Sequence, residues 1–343
     1  MSKPKRDWPA QPWTAPPAIA ALLAHAAGND INGVGETEKR RPRQIFWARK
    51  PEAVTHSALQ SVVVDRFNGP PVLRDVYANA ERGPRKLAPP AAERASGDAR
   101  TWSARVKAFV LNEAGGRPDA YPGAGSAAEL VGLARLDPNW VYEGFEPGLP
   151  FVVVMGVVMD HGRLADVSSD ADHPASALEV GEQYNRGARV ANHTAHWIRA
   201  QGYDARPHAG PWVGSLNLVP AALAAGLGEL GKHGSIINPR YGSSFRLAAV
   251  ETDMPLAADA PITFGADDFC NRCRVCTDAC PPQAISSEKA VVRGAWKWWV
   301  DFNKCIPYFN ETFGCGICIA ACPWSAPGRA PRLAATWARR ASA

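Results

Sequence analysis

Apolar positions are weakly ordered over roughly the first hundred residues and sharply patterned after them. Residues 1 to about 105 are rich in Pro, Arg and Ala, and only "HSALQSVVVDRFNGPPVLRDVYANA" there predicts regular structure, a strand and then a helix. From about residue 127 the pattern changes. "SAAELVGLARLDPNWVYEG" reads as a helix end, a strand and a turn, and the unbroken apolar run "LPFVVVMGVVM" reads as a buried strand. That run is well short of the ~18 residues needed to span a bilayer. "SALEVGEQYNRGARVANHTAHWIRAQGY" predicts a long helix ending at Gly202. Tyr184, Ala188, Ala191, Ala195 and Ile198 share one face of it, so the tyrosine is either closely packed or aimed into a cavity. "PAALAAGLGELGKHG" then predicts a helix running into a glycine-rich turn, and "SFRLAAVETDMPL" a further strand. Strands alternating with helices argue for an α/β class.

The composition narrows the function classes. With 343 residues and 46% hydrophobic content, the chain has room for one large globular domain and a small appended one. Its net charge of +5 is spread out, without the basic and aromatic blocks of a nucleic-acid surface, and suits an acidic electron donor or an anionic cofactor tail. No nucleic-acid partner and no membrane span are expected. The start carries basic residues but no twin arginine, and prolines interrupt its apolar part. Arg40 and Arg41 are followed by Pro42 and Arg43, as in a solvated basic loop rather than an export signal. A cytoplasmic location is therefore expected, and there cysteines serve metal sites more often than disulfides. The 12 tryptophans suggest either an aromatic lining or ordinary core packing.

Several motif matches fail. "AGLGELG" lacks the GxGxxG spacing and ends a helix rather than opening one, so it is not a dinucleotide site. "MDHGRL" has leucine where the histidine-on cobalamin signature has glycine. The cysteines carry a stronger signal. All eight lie in two runs: Cys270, Cys273, Cys276, Cys280 and Pro281, then Cys305, a gap of nine, Cys315, Cys318, Cys322 and Pro323. This is the two-cluster ferredoxin spacing, in which the fourth cysteine of each run crosses to the other cluster. It assigns Cys270, Cys273, Cys276 and Cys322 to one 4Fe–4S cluster, and Cys280, Cys305, Cys315 and Cys318 to the other. Two C-x2-C pairs could also form a zinc ribbon, although the doubled pattern is not a zinc habit. Trp296, Trp298, Trp299 and Trp324 are candidates to shield the clusters from water.

"GLGELGKHGSIINPRYGSSFRLAAVETDMPLAADAPITFGADDFCNRCRVCTDACPPQAIS", "VGLARLDPNWVYEG" and "YNRGARVANHTAHWIRAQGYDA" resemble the cobalamin-dependent reductive dehalogenases, over about residues 125 to 328. "KCIPYF" and "FGCGICIAACPW" also resemble the related epoxyqueuosine reductases. Those carry an acidic proton donor before the glycine-rich turn, where this chain has "GPWVGSLNLVP". The resemblance implies an α+β nitroreductase-like core holding base-off cobalamin, reduced by the nearer cluster, with a C-terminal two-cluster ferredoxin-like domain. The implied organisation is an irregular N-terminal wrap over 1–125, a cobalamin-binding catalytic core over 126–260, the cluster domain over 261–328 and a tail over 329–343. It also implies a tyrosine proton donor paired with a cation, roles that fall on Tyr184 and Arg246, and corrin contacts at Ile237, Tyr241 and Ser243. The bland alternatives are a packed core tyrosine and a surface arginine. The implied substrate is a small organohalide, with electrons from a separate ferredoxin or flavodoxin. A non-catalytic electron carrier, a cobalamin-handling protein and a tRNA-base reductase are the competing readings.

Overall fold

The computed structural model describes residues 12–23, 28–45, 54, 56–68, 71–78, 87–115, 127–170, 172–208 and 214–342. Strand β1 (Leu130–Arg135) pairs with β2 (Phe151–Val158). After β3 (Ala205–His208) and the short hairpin of β4 (Glu229–Leu230) and β5 (Ile236–Ile237) comes β6 (Phe245–Thr252). β6 inserts between β2 and β3, giving the order β1-β2-β6-β3 with every pairing antiparallel. The core is thus of the α+β kind, although helices and strands alternate along the chain.

The sheet is covered on both faces, which explains why β2 is continuously apolar rather than alternating. Val153, Met155 and Val157 face the first apolar layer, with Ala248 and Val250 of β6. Val152 and Val154 face the second, with Phe245 and Ala249. Among the described residues, four helices precede the sheet: α1 (Pro17–Leu23), α2 (Ser57–Asn68), α3 (Pro71–Ala78) and α4 (Ala99–Asn112). α4 buries Trp102, Val106 and Val110 in the first layer. Following the single turn α5 (His161–Leu164), the long helix α6 (Ala175–Ala200) lies over the same face. Its alanine face is a packing face: Ala188, Ala191, Ala195 and Ile198 are buried against the sheet. A Cβ on Gly187 would reach contact distance, 3.4 Å, from the Ala248 side chain, so small residues set how close the helix lies. α7 (Leu218–Ala224) covers the second face with Ala221 and Ala222.

The remaining helices are α8 (Ala266–Arg272), α9 (Val275–Ala279), α10 (Phe302–Glu311), α11 (Ile317–Ala321) and α12 (Arg329–Ala341), with a hairpin of β7 (Ala290–Val292) and β8 (Ala295–Lys297) between α9 and α10. No helix among the described residues is long and apolar enough to cross a membrane.

Two N-terminal expectations change. "HSALQSVVVDRFNGPPVLRDVYANA" forms two helices, α2 and α3, rather than a strand and a helix. Leu59 and Leu73 are fully buried against Ile306 and Phe313, so tertiary burial overrides the β-preference of three consecutive valines. The basic run is not a free solvated loop. Arg41 donates to the carbonyls of Val141 and Tyr142, at 2.9 and 2.6 Å, and Arg43 pairs with Glu143 at 2.6 Å, strapping this segment to the loop after β1. Residues 1–11, 46–51 and 209–213, which held parts of the basic start, the basic run and "GPWVGSLNLVP", lie outside the described residues.

Candidate functional site

The cysteines sit on short elements that the core holds in place. α8, which carries Cys270, begins where the Glu229 carboxylate accepts the backbone N–H groups of Phe264 and Ala266 at 3.0 and 2.8 Å. The failed dinucleotide motif thus contributes a carboxylate that anchors the first cluster helix. α11, which carries Cys318, is tied to the core by His161, whose Nε2 lies 3.0 Å from the Ala320 carbonyl. Hence the histidine of "MDHGRL" is an inter-element strut. A Cβ on Gly316 would come within 2.6 Å of the Leu164 side-chain terminus, so a larger residue there would make that leucine shift.

Electrostatics sort the thiols into two sets. Cys270, Cys273 and Cys322 all bear on Cys276, and Cys315 and Cys280 bear on Cys305. Cys318 feels Cys315, Cys305 and Cys280, and also Cys276 of the other set. These are the two crossed groups read from the spacing. Burial pushes Cys270, Cys276 and Cys315 up to about 12 and Cys322 to about 11, and raises Cys280, Cys305 and Cys318 as well. Metal must therefore displace protons from these thiols. Backbone N–H groups already point at several sulfurs: Ala284 at Cys280 (3.4 Å), Lys232 at Cys270, and Trp324 and Ser325 at Cys322. Donors of this kind stabilise thiolates and suit a cluster's sulfurs. Among the described residues, no three His, Cys, Asp or Glu side chains close on a single-ion site.

Only some of the candidate tryptophans are shields. Trp298 and Trp324 are buried with Cys270 and Cys322, whereas Trp296 is 68% exposed. Lys232, which the sequence reading passed over, is 1% exposed. Its Nζ donates to the Ser287 carbonyl at 3.0 Å and lies 4.6 Å from the Trp298 ring centroid, fixing a cation beside the first set of thiols. The only signal available for it was a lysine inside a glycine-rich turn.

Tyr184 and Arg246 come together. Arg246 lies on the α6 side of β6, and its guanidinium carbon is 4.5 Å above the Tyr184 ring centroid, within cation–π range. Tyr184 packs against the buried cluster of Met159, Leu164 and Val180, and Ile319, which directly follows Cys318, packs against the same cluster. The tyrosine and the helix that carries Cys318 thus share one apolar cluster. Glu179, 1% exposed, braces this corner by accepting from the Asp160 N–H at 2.8 Å and pairing with Arg163 at 2.8 Å.

The expected corrin contacts fare differently. Ile237 is fully buried in the apolar cluster of Trp298, Trp324 and Cys270, where it packs the cluster domain onto the core. Ser243 donates its hydroxyl to the Ile236 carbonyl at 2.7 Å, and the same oxygen lies 3.2 Å from His233 Nε2. Tyr241 remains half-buried, with Arg240 over its ring. The neighbouring Ser244 Oγ and the Arg246 Nε are buried without a protein hydrogen-bond partner. An unmet buried polar group costs ~1–3 kcal/mol, so this corner suits a polar ligand. By this test the residues present fit a cofactor with hydrogen-bonding substituents.

His233 makes a pH-sensitive element of the glycine-rich turn. Its Nδ1 accepts from the Ser235 N–H at 3.2 Å, which requires an unprotonated nitrogen, and burial lowers it to about 4. The unfolded chain takes up this proton near pH 6.5 and the folded chain does not. The stabilisation is therefore complete above pH 6.5 and is lost as pH falls towards 4, by up to about 1.4 kcal/mol per pH unit. Denaturant unfolding at pH 7.5 and 5.0 should show a steeper acid loss in the parent than in His233→Gln. Parallel losses would assign the acid sensitivity elsewhere.

The 4Fe-4S dicluster domain family matches residues 269–326, a span that holds all eight cysteines. The tetrachloroethene reductive dehalogenase of Dehalobacter restrictus is 36% identical over 216 residues, 59% of this chain and 38% of that protein. The epoxyqueuosine reductase of Leadbetterella byssophila is 37% identical over 125 residues, 32% of this chain and 37% of that one. Among solved structures, a catabolic reductive dehalogenase in complex with 3-bromo-4-hydroxybenzoic acid covers 89% of this chain at TM-score 0.67 and 25% identity, and 45% of its own length is matched. A reductive dehalogenase described with a mechanism for B12-dependent dehalogenation covers 86% of this chain and 41% of its own at TM-score 0.63 and 27% identity. The chain therefore spans less than half the length of each of these proteins. Over more than half of its length the chain is thus similar to reductive dehalogenases, and its C-terminal part carries a 4Fe-4S dicluster domain.

Proposed function

We propose that this chain is a cobalamin- and iron–sulfur-dependent oxidoreductase that removes halogen from a small organohalide. The observation that carries the reading is the Arg246 guanidinium over Tyr184, which shares its apolar cluster with Ile319, the residue after Cys318. The overall reaction consumes two electrons and one proton per carbon–halogen bond and releases halide. Bound corrinoid would supply the low-potential chemistry that breaks this bond. Tyr241, Ser244 and Arg246 are the residues to hold it, Ser244 through its unpartnered hydroxyl. Cys270, Cys273, Cys276 and Cys322 would hold one cluster, and Cys280, Cys305, Cys315 and Cys318 the other. Tyr184 gives its hydroxyl proton to the carbon that loses halogen, and the Arg246 cation stabilises the phenolate left behind. The bromophenol bound to the solved relative favours a haloaromatic as the first substrate to try. Free cysteines given to metal rather than disulfides fit a reducing, cytoplasmic setting.

A cluster-only electron carrier would need no tyrosine under an arginine, and the epoxyqueuosine reductase likeness reaches only 32% of the chain. The test is halide release from 3-bromo-4-hydroxybenzoic acid and related haloaromatics by anaerobically loaded protein, with titanium(III) citrate as reductant. Bromide or chloride released in step with dehalogenated product supports the reading. Full cofactor loading with no halide from any haloaromatic or haloalkene would sink it.

A further inference from the structure

A groove of about 1,020 Å³ runs along the outer side of the cluster domain between α8 and α12. Its walls include Phe269, Val275, Pro323, Leu333 and Trp337, and Cys273 lies among them. Of the four thiols in its set, Cys270, Cys276 and Cys322 are buried, and Cys273 is the partly exposed one. The edge of that set which reaches the surface therefore opens into this groove. The rim is basic. Arg272, Arg329 and Arg340 are exposed and line it, and Arg274, Arg332 and Arg339 stand on the same helices or beside them. The one carboxylate in the lining, Asp268, accepts from Trp337 Nε1 at 3.1 Å, and Asp278 nearby is paired with Arg274 at 3.3 Å. What faces outward is an apolar floor, a cluster ligand and a surplus of positive charge.

We infer that this groove is where an acidic, low-potential one-electron carrier protein docks to reduce the first cluster. The inference rests on the reading above for what the electrons are finally used for, but not for where they enter. Each encounter passes one electron from the carrier's reduced centre to the cluster held by Cys270, Cys273, Cys276 and Cys322. No bond changes and no proton moves, so two encounters supply one dehalogenation. Cys318, which feels Cys276, leads on to the second set, and Ile319 beside it packs against the same apolar cluster as Tyr184. The groove thus opens on the first thiol set, and the tyrosine shares a cluster with the helix that carries Cys318 of the second. A basic rim around a small apolar centre suits a transient encounter, fast and sensitive to salt, rather than a stable complex.

The test uses the full chain with its clusters loaded, and a dithionite-reduced, desalted plant-type ferredoxin as the acidic probe. Stopped-flow bleaching of the clusters gives the second-order rate. Charge reversal at the rim, Arg272→Glu with Arg329→Glu and Arg340→Glu, should lower that rate about tenfold or more and flatten its salt dependence. Reduction by dithionite, iron content and thermal midpoint should not change. A control triple at other exposed positions, Lys39→Glu with Arg100→Glu and Arg135→Glu, separates the groove from the chain's overall positive charge. Equal slowing in both triples, or an undiminished rate in the rim triple, overturns the inference. Halide release driven by titanium(III) citrate is scored separately. Its failure would count against the dehalogenase reading while leaving an arginine-dependent docking rate intact.

Discussion

Replacing Tyr184 with phenylalanine should lower halide release roughly 100-fold or more, the usual scale for losing a positioned general acid. The ring that packs against Met159, Leu164 and Val180 is kept, so both clusters and the corrinoid should remain at parent levels. Halide release under titanium(III) citrate, beside iron and corrinoid content of the same sample, separates the two effects. Undiminished turnover would move the proton donor elsewhere, and joint loss of corrinoid and activity would make Tyr184 a packing residue. Arg246→Met offers a complementary reading, because it removes the cation above the ring at similar bulk. It should also slow turnover, with the phenol still present but its phenolate unsupported.

Cys318→Ala should have an effect of comparable size by a different route. It removes one thiolate from the set of Cys280, Cys305, Cys315 and Cys318, and α11, which carries Cys318, shares an apolar cluster with Tyr184 through Ile319. Iron should fall from about eight to about four atoms per chain, and turnover to background, while the first cluster's reduction spectrum survives. Cys276→Ala should give the converse iron loss from the other set. If either variant kept its full iron and sulfide, the crossed assignment of ligands would be wrong.

The grouping of the thiols was legible because cysteine spacing along the chain leaves few ways to fold around a cube. Strand β2 and helix α6 were legible for a related reason, namely length and an unbroken apolar or small-residue pattern. Ser243 and Ser244 show where such reading stops. They are neighbours in a turn, and which hydroxyl is satisfied depends on His233 and the Ile236 carbonyl folding beneath one of them. Ile237 looked available in a glycine-rich segment, yet the cluster domain closes over it, a contact made by residues about 60 or more positions away or by α8. Lys232 has no periodic signature at all. Its role comes from Trp298 and Ser287 arriving from beyond the first cysteine run. The helices α2 and α3 were misread because three valines suit a strand locally, and only burial of Leu59 and Leu73 against α10 decides otherwise.

Cluster and corrinoid content of one anaerobically prepared, corrinoid-reconstituted sample tests the account most directly. About eight iron and eight acid-labile sulfide per chain are expected, as two cubane clusters require, together with about one corrinoid whose spectrum is that of the base-off form. Stoichiometric zinc with negligible sulfide, or full clusters with no corrinoid retained, would contradict it.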